Sequence, residues 1–253
     1  MKKRWVYLFA LSALAISLVL LLRPMPSQTV RATDSEHKVY LPFFAWIQRE
    51  GFDDFTDLDP EWDIFNLARQ PEQKDGTFRY IDGKLRGEIR DNAVRMVASP
   101  PWLTDGDYRL EVDAQYEYHH KQSWDGLGLV FGGNSDFTEY YTFMLAYNPE
   151  QHFWGIFRIK GFRTESIDRD WWIGSPGFVR NEDGWNHLEV IRVGNKIKLY
   201  INGGRIRDLG EDYTDSHYFG ARRVGVVITS YEMNYHNINF DNFRLSNYTD
   251  EGN

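Results

Sequence analysis

Residues 107–118 read Asp107-Tyr108-Arg109-Leu110-Glu111-Val112-Asp113-Ala114-Gln115-Tyr116-Glu117-Tyr118. Tyr108, Leu110, Val112, Ala114, Tyr116 and Tyr118 alternate without a slip against the polar positions between them. A period of two over this length predicts a β-strand with one face in a core and one polar face. Working outward, Leu85, Gly87 and Ile89 alternate in the same way against Lys84, Arg86 and Glu88. Leu188–Val193 and Ile197–Ile201 flank Gly194-Asn195, a two-residue hairpin signal because such a turn needs positive φ. Asn202-Gly203 makes a second turn into Arg205-Ile206-Arg207, so three strands form a meander. Further strands are predicted over Leu127–Gly132, Tyr140–Tyr147, Phe153–Ile159, Val224–Ser230 and Ile238–Ser246. Several are apolar on both faces, as strands in the middle of a sandwich are.

After the first residues no amphipathic helical period is sustained. One local signal competes: Asp59-Pro60-Glu61-Trp62 offers an N-cap and Pro at N1, leaving 60–68 open between helix and strand. The expected fold is all-β, an antiparallel β-sandwich of ten or more strands in one domain.

The chain has 253 residues, no Cys, 9 Trp, 15 Tyr and 17 Phe. Absence of Cys removes disulfide staples, thiol catalysis and thiolate metal sites. Residues 1–32 hold Lys2, Lys3, Arg4, Arg23 and Arg31 and no acid, so the remainder carries 24 Lys+Arg against 37 Asp+Glu, a net charge of −13. That sign excludes a nucleic-acid partner, which needs a basic footprint.

Lys2-Lys3-Arg4 precedes an apolar run from Trp5 to Leu22, closed by Arg23-Pro24. Such a leader is expected to be a hydrophobic helix that sends the following chain out of the cytoplasm. Its length suits a retained anchor, since ~20 residues span a bilayer. Val30-Arg31-Ala32 equally suits a signal-peptide cleavage site. Both fates stay open, and membrane association is expected only through this segment. The expected organisation is leader 1–32, linker and lead-in segment 33–50, sandwich 51–247 and tail 248–253.

The order of motifs carries a resemblance. Phe52-Asp53-Asp54-Phe55 comes first, then Ile81-Asp82-Gly83-Lys84-Leu85 and Tyr108-Arg109-Leu110-Glu111-Val112. Gly126–Phe131, Tyr140-Tyr141-x-Phe143, Trp185-Asn186-x-Leu188-x-Val190 and Gly194–Gly203 follow, and Val224-Gly225-Val226 and Phe240-Asp241-Asn242-Phe243 close the series. Over residues 50–247 the chain resembles the concanavalin A-like lectin/glucanase superfamily, with features of its laminin-G-like and 3-keto-disaccharide-hydrolase-like modules. The resemblance implies a jelly-roll sandwich that binds or cleaves carbohydrate in a groove. It also implies a structural calcium where the N-terminal segment meets the last strand, with Asp54 and Asp241 at the matching positions.

The calcium expectation has support from the residues. Ile238 and Phe240 occupy one parity and Phe243 and Leu245 the other, which predicts a bulge at Asp241-Asn242. Asp53-Asp54-Phe55-Thr56-Asp57 adds hard oxygen donors of the kind calcium takes. The same carboxylates also serve as turn and cap residues elsewhere in proteins.

The catalytic candidates are Glu111, Asp113 and Glu117. Carboxylates at i and i+2 on one strand face stand ~7 Å apart, inside the range used on glycosidic bonds. The superfamily's glucanases show Glu-x-Asp-x-Glu on one strand. Here Gln115 holds the third place and Glu117 lies ~20 Å from Glu111 at strand rise. The set is therefore incomplete, and an ordinary solvated strand face explains it. His119-His120, adjacent on a strand end, point to opposite sides and make a poor metal pair.

Ligand binding would rest on aromatic rings, which pack against the C–H faces of sugars. Tyr140, Trp154 and Arg158 lie on neighbouring predicted strands, and Trp171-Trp172 lie in a loop-like stretch. Core packing is the competing role for Trp154. The expected function is an exported, non-catalytic module binding carbohydrate or another cell-surface ligand. A polysaccharide- or disaccharide-active enzyme and a structural or protein-binding ectodomain are the alternatives.

Overall fold

The structure is a computed structural model that describes residues 46–47, 50–57, 61–67, 76–90, 94–118, 126–148, 151–168, 173–174, 184–206, 213–214, 222–230 and 236–249. The leader, the Trp171-Trp172 pair and His119-His120 lie outside them. Among the described residues no helix is long and apolar enough to cross a membrane.

Nineteen strands occur among these residues. The first seven are β1 (Trp46–Ile47), β2 (Gly51–Asp53), β3 (Asp63–Asn66), β4 (Gly76–Ile81), β5 (Lys84–Ile89), β6 (Val94–Ser99) and β7 (Trp102–Thr104). The long central strands are β8 (Tyr108–Tyr118), β9 (Gly126–Gly133), β10 (Glu139–Asn148) and β11 (Gln151–Lys160). Then come β12 (Arg163–Ser166), β13 (Ile173–Gly174), β14 (Asn186–Val193), β15 (Lys196–Ile201), β16 (Gly204–Arg205) and β17 (Tyr213–Thr214). The chain closes with β18 (Arg222–Ser230) and β19 (His236–Asn247).

They form two sheets. Sheet A runs β1-β7-β18-β9-β10-β11-β12, with β6 and β3 branching from β18 and β13 from β11. Sheet B runs β16-β15-β14-β8-β19-β5-β4, with β17 on β15 and β2 on β19. Apart from the short parallel pair β1–β7, every pairing is antiparallel. Residues 46–47, in the segment expected to be linker, thus already pair with β7.

The meander appears, with its third strand at Gly204–Arg205 instead of the expected 205–207. Gly194 takes φ 58° between β14 and β15, and Asn202 and Gly203 take 52° and 74° between β15 and β16. Residues 63–66 settle as a strand despite the helix-start signal before them. Pairing with β6 and contact between Phe65 and Phe137, ring centroids 4.9 Å apart, outweigh a weak local propensity.

The alternation read from residues 107–118 is the inner face of β8. Tyr108, Leu110, Val112, Ala114 and Tyr116 are buried in the core between the sheets. Opposite them stand Leu127, Leu129 and Phe131 of β9, Tyr141, Phe143 and Leu145 of β10, and Val226 and Ile228 of β18. Tyr116 also crosses the layer, its hydroxyl donating to the Leu145 carbonyl at 3.0 Å. A buried phenol needs such a partner, because desolvation without one costs about 1–3 kcal/mol.

Sheet A carries a second apolar layer on its other side. Val97, Val130, Phe137, Tyr140, Met144, Phe157, Ile159 and Val227 form a separate buried cluster, with Phe65 and Leu67 packed on it. This is why β9, β10 and β18 read as apolar on both parities. Arg223 closes one end, its guanidinium 5.0 Å from the Phe65 ring and 5.6 Å from the Phe137 ring, paired with Asp63.

Where the N-terminal strand meets β19, Asp53 is the organising residue. Its carboxylate accepts from the Trp62 indole N–H and from the Phe55 amide, both at 2.7 Å. Phe55, Trp62, Phe243 and Trp102 pack around it ring to ring. Burial raises the Asp53 pKa above the ordinary carboxylate value, against the two hydrogen bonds that favour its charge.

Candidate functional site

The outer face of sheet B is polar, half-buried along most of β8 and with Glu88 and Asn239 buried within it. Arg109, Glu111, Asp113, Gln115 and Glu117 line it along β8, since these are the positions that alternate away from the core. Register places Glu189 of β14 opposite Glu111 and His187 opposite Asp113. On the other side Asn239 of β19 faces Gln115, and Arg86 of β5 faces Asn239. Residues directly opposite in an antiparallel pair have Cβ atoms about 5 Å apart, so these side chains touch.

They are fixed by one another. His187 Nδ1 lies 2.8 Å from Asp113 Oδ1, and its Nε2 lies 3.3 Å from Glu111 Oε1. The hydrogen bond to Asp113, then that to Glu111, raises the His187 pKa from 6.5 to about 9. The imidazolium in turn holds the Glu111 carboxyl below its ordinary value. Glu189 moves the other way, because burial raises its pKa and Glu111 adds like charge, while Arg109 at 2.9 Å opposes both. Arg86 donates from Nε to Asn239 Oδ1 at 3.1 Å and from Nη2 to Glu117 Oε1 at 2.8 Å. Beyond Arg86, at the β4 edge, Gly76, Thr77, Arg79, Glu88 and Arg90 line a hollow of ≈ 210 Å³.

The expected catalytic set does not assemble as a glycosidase pair. Glu111 and Asp113 do share a face, but one imidazole bridges them where a scissile bond would lie. Glu117 is committed to Arg86.

The bulge expected at Asp241-Asn242 is present, as a register shift between Asp241 and Arg244 and φ 52° at Asn242. It turns Asn242 so that Nδ2 donates to Asp113 Oδ2 at 2.9 Å. It also brings Asp241 within electrostatic range of Asp113 and Asp54. Desolvation is the main cause of Asp241's raised pKa, and the charges of Asp113 and Asp54 add to it. Asp54 itself is exposed, with its Oδ1 accepting from the Thr56 hydroxyl at 2.7 Å and amide at 3.2 Å. Asp53, expected among the oxygen donors, is occupied by Trp62 and Phe55 instead.

The aromatic expectations need correction. Trp154 and Arg158 do share a strand face, but it is the inward one. Trp154 is 0% exposed among Phe143 and Tyr213, and Arg158 is paired with Glu165 at 2.6 Å. Tyr140, also 0% exposed, belongs to the outer apolar layer of sheet A. Neither ring has a face for a sugar: side chains that run through two packed layers fill volume. At the Asp113 end of the polar face the ring is Trp185, half-buried, with Lys84 Nζ 5.3 Å from its centroid.

His187 and Glu189 were missed by sequence reading. The outward parity of Glu189 on the Leu188–Val193 strand was legible, but His187 lies just before that strand as read, and nothing in the chain says that the strand lies beside β8.

No protein-family model matches the chain, and no curated protein matches it in sequence. Solved structures do match. The carbohydrate-binding module CBM66 from Bacillus subtilis superposes with a TM-score of 0.54 at 14% identity, covering 72% of this chain and 94% of that one. The VIP36 exoplasmic/lumenal domain, in its Ca2+/Man3GlcNAc-bound form, gives 0.53 at 13% identity over 81% and 90%. The CBM2 module of the evolved Dit of Lactobacillus casei BL23 phage J-1 gives 0.51 at 13% over 79% and 96%. At these identities the likeness is one of architecture, and with the two-sheet topology above it gives the chain the concanavalin A-like, lectin-type β-sandwich fold.

Proposed function

We propose that this chain is an exported, non-catalytic carbohydrate-binding module, and that its ligand lies on the outer face of sheet B. The observation that carries the reading is the continuous row of fixed hydrogen-bonding groups there. It runs from the hollow at Arg79 and Glu88, through Arg86, held by the buried Asn239, and Glu117, to Asp113 and Asn242. Sugar hydroxyls are bound by such preset donors and acceptors, which cost little ordering on binding. Trp185 supplies the ring beside them. The structural neighbours include a carbohydrate-binding module and a lectin domain with a bound oligosaccharide, which supports the same reading. Export rests on the N-terminal sequence, with the leader as signal peptide or anchor.

Calcium belongs to the proposal at Asp54 and Asp241. Both are oxygen donors, and the mutual repulsion felt at Asp241 is what a divalent cation relieves. Held there, the ion would tie the segment after β2 to the bulge of β19, stiffening the fold without taking part in chemistry.

A glycan array probed with the full chain, with and without EDTA, tests the function. Binding to a defined glycan class, weakened at least about tenfold by Arg86→Ala, is expected; tenfold corresponds to about 1.4 kcal/mol. Absence of binding to every glycan under both conditions would remove the proposal.

A further inference from the structure

Among the described residues, Glu111, His187 and Glu189 place one donor atom each so that all lie within 4.8 Å of one another. Glu111 and Glu189 face each other across β8 and β14, and His187 stands two residues before Glu189 on the same strand face. Orientation of the imidazole separates this cluster from an ordinary charged patch. Nδ1 is turned to Asp113, leaving Nε2 as the ring nitrogen beside Glu111. Metal-binding histidines usually give their other ring N–H to a carboxylate, which fixes the tautomer whose lone pair meets the ion. Asp113 occupies that place, and its second oxygen is held by Asn242.

We propose that His187 Nε2, Glu111 and Glu189 form a binding site for a divalent first-row transition metal, zinc best matching the donors, with Asp113 as positioning residue. The donor set decides the class of ion. One imidazole nitrogen with two carboxylates suits zinc and its neighbours, whereas calcium takes six to eight oxygens. Three protein ligands leave a fourth tetrahedral position. It faces solvent, because the His187 and Glu111 side chains are 36% and 17% exposed. Arg109 works against the ion, its Nε lying 2.9 Å from Glu189 Oε1. The metal therefore takes the other Glu189 oxygen or displaces the guanidinium. The site is distinct from the Asp54–Asp241 corner and does not depend on the carbohydrate reading.

The full chain, made without a purification tag and stripped with EDTA, is titrated with zinc chloride by calorimetry and with cobalt chloride by visible absorption. One zinc per chain is expected, with cobalt bands of low-coordinate, nitrogen-containing ligation. Glu189→Gln, which keeps the His187–Asp113 contact, should weaken zinc at least about tenfold, and Asp113→Asn about 10- to 100-fold. Arg109→Gln should tighten it. Circular dichroism verifies that each variant keeps its strands. Absence of saturable zinc binding overturns the proposal. So does binding that Glu189→Gln and His187→Gln both leave intact, since the chain has 7 His in all. Zinc binding lost in Asp54→Asn but kept in Glu189→Gln overturns it as well.

Discussion

The two sheets treat their outer faces in opposite ways. Sheet A places Val97, Val130, Tyr140, Met144, Phe157, Ile159 and Val227 there, all buried. Sheet B places Glu111, Asp113, His187, Glu189 and Arg86, all half-buried, and the exposed Glu117 at the equivalent positions, linked by hydrogen bonds and ion pairs. Both follow the same period of two. One face therefore contributes to stability through area removed from water, and the other holds polar groups in place at little net stability. Substitutions should separate along that line, with large losses of stability on sheet A and losses of binding on sheet B.

The largest effect is expected on the outer layer of sheet A. Phe157→Ala should cost about 3–5 kcal/mol, because a buried ring is removed and a cavity is left. Urea denaturation of the variant beside wild type measures it, and a cost as small as that of a surface change would erase the contrast between the sheets. Asp53→Ala should cost about 2–3 kcal/mol, since the Trp62 indole and the Phe55 amide lose their acceptor in a buried place. Thermal unfolding with and without calcium sharpens this, because Asp53 is not a proposed ligand and its loss should be the same in either condition. Across the sheet B face, the Arg86–Glu117 pair should couple by less than about 1 kcal/mol in a double-mutant cycle. Arg86→Ala should cost more than that coupling, about 1–3 kcal/mol, because the buried Asn239 Oδ1 loses its donor.

The pH response is the finest test of the polar face. His187 has its pKa raised from 6.5 to about 9 by Asp113 and Glu111. In the metal-free protein its stabilising contribution is therefore complete below pH 6.5 and lost as pH rises towards 9. Glu111, held below its ordinary value of 4.5, contributes above that pH and loses its contribution on acidification. The melting temperature should fall between pH 6.5 and 9 in wild type and change less in His187→Gln. An NMR titration placing the His187 midpoint near its ordinary 6.5 would show that the bridge between the two carboxylates is not formed.

Much of the sandwich was legible because strand periodicity is local. The twelve residues from Asp107 to Tyr118, the Gly194-Asn195 turn and the phase slip at Asp241-Asn242 each carry their structure in their own order of side chains. The β3 segment was not legible, since the helix start at Asp59-Pro60 is a local signal and the pairing with β6 is not. Trp154 shows the same limit for function. Strand parity put it with Arg158, but parity does not say which of two faces is the interior.

By itself, then, the sequence determined that the chain after residue 32 is a two-layered β structure, acidic and without cysteine, and that an apolar run over residues 5–22 precedes it. Tertiary structure alone decided that His187 and Glu189 stand beside Asp113 and Glu111, and that the tryptophan on β11 is core. The reason is physical: alternation is set within a strand by backbone geometry, whereas neighbouring strands are chosen by the packing of residues more than seventy positions apart.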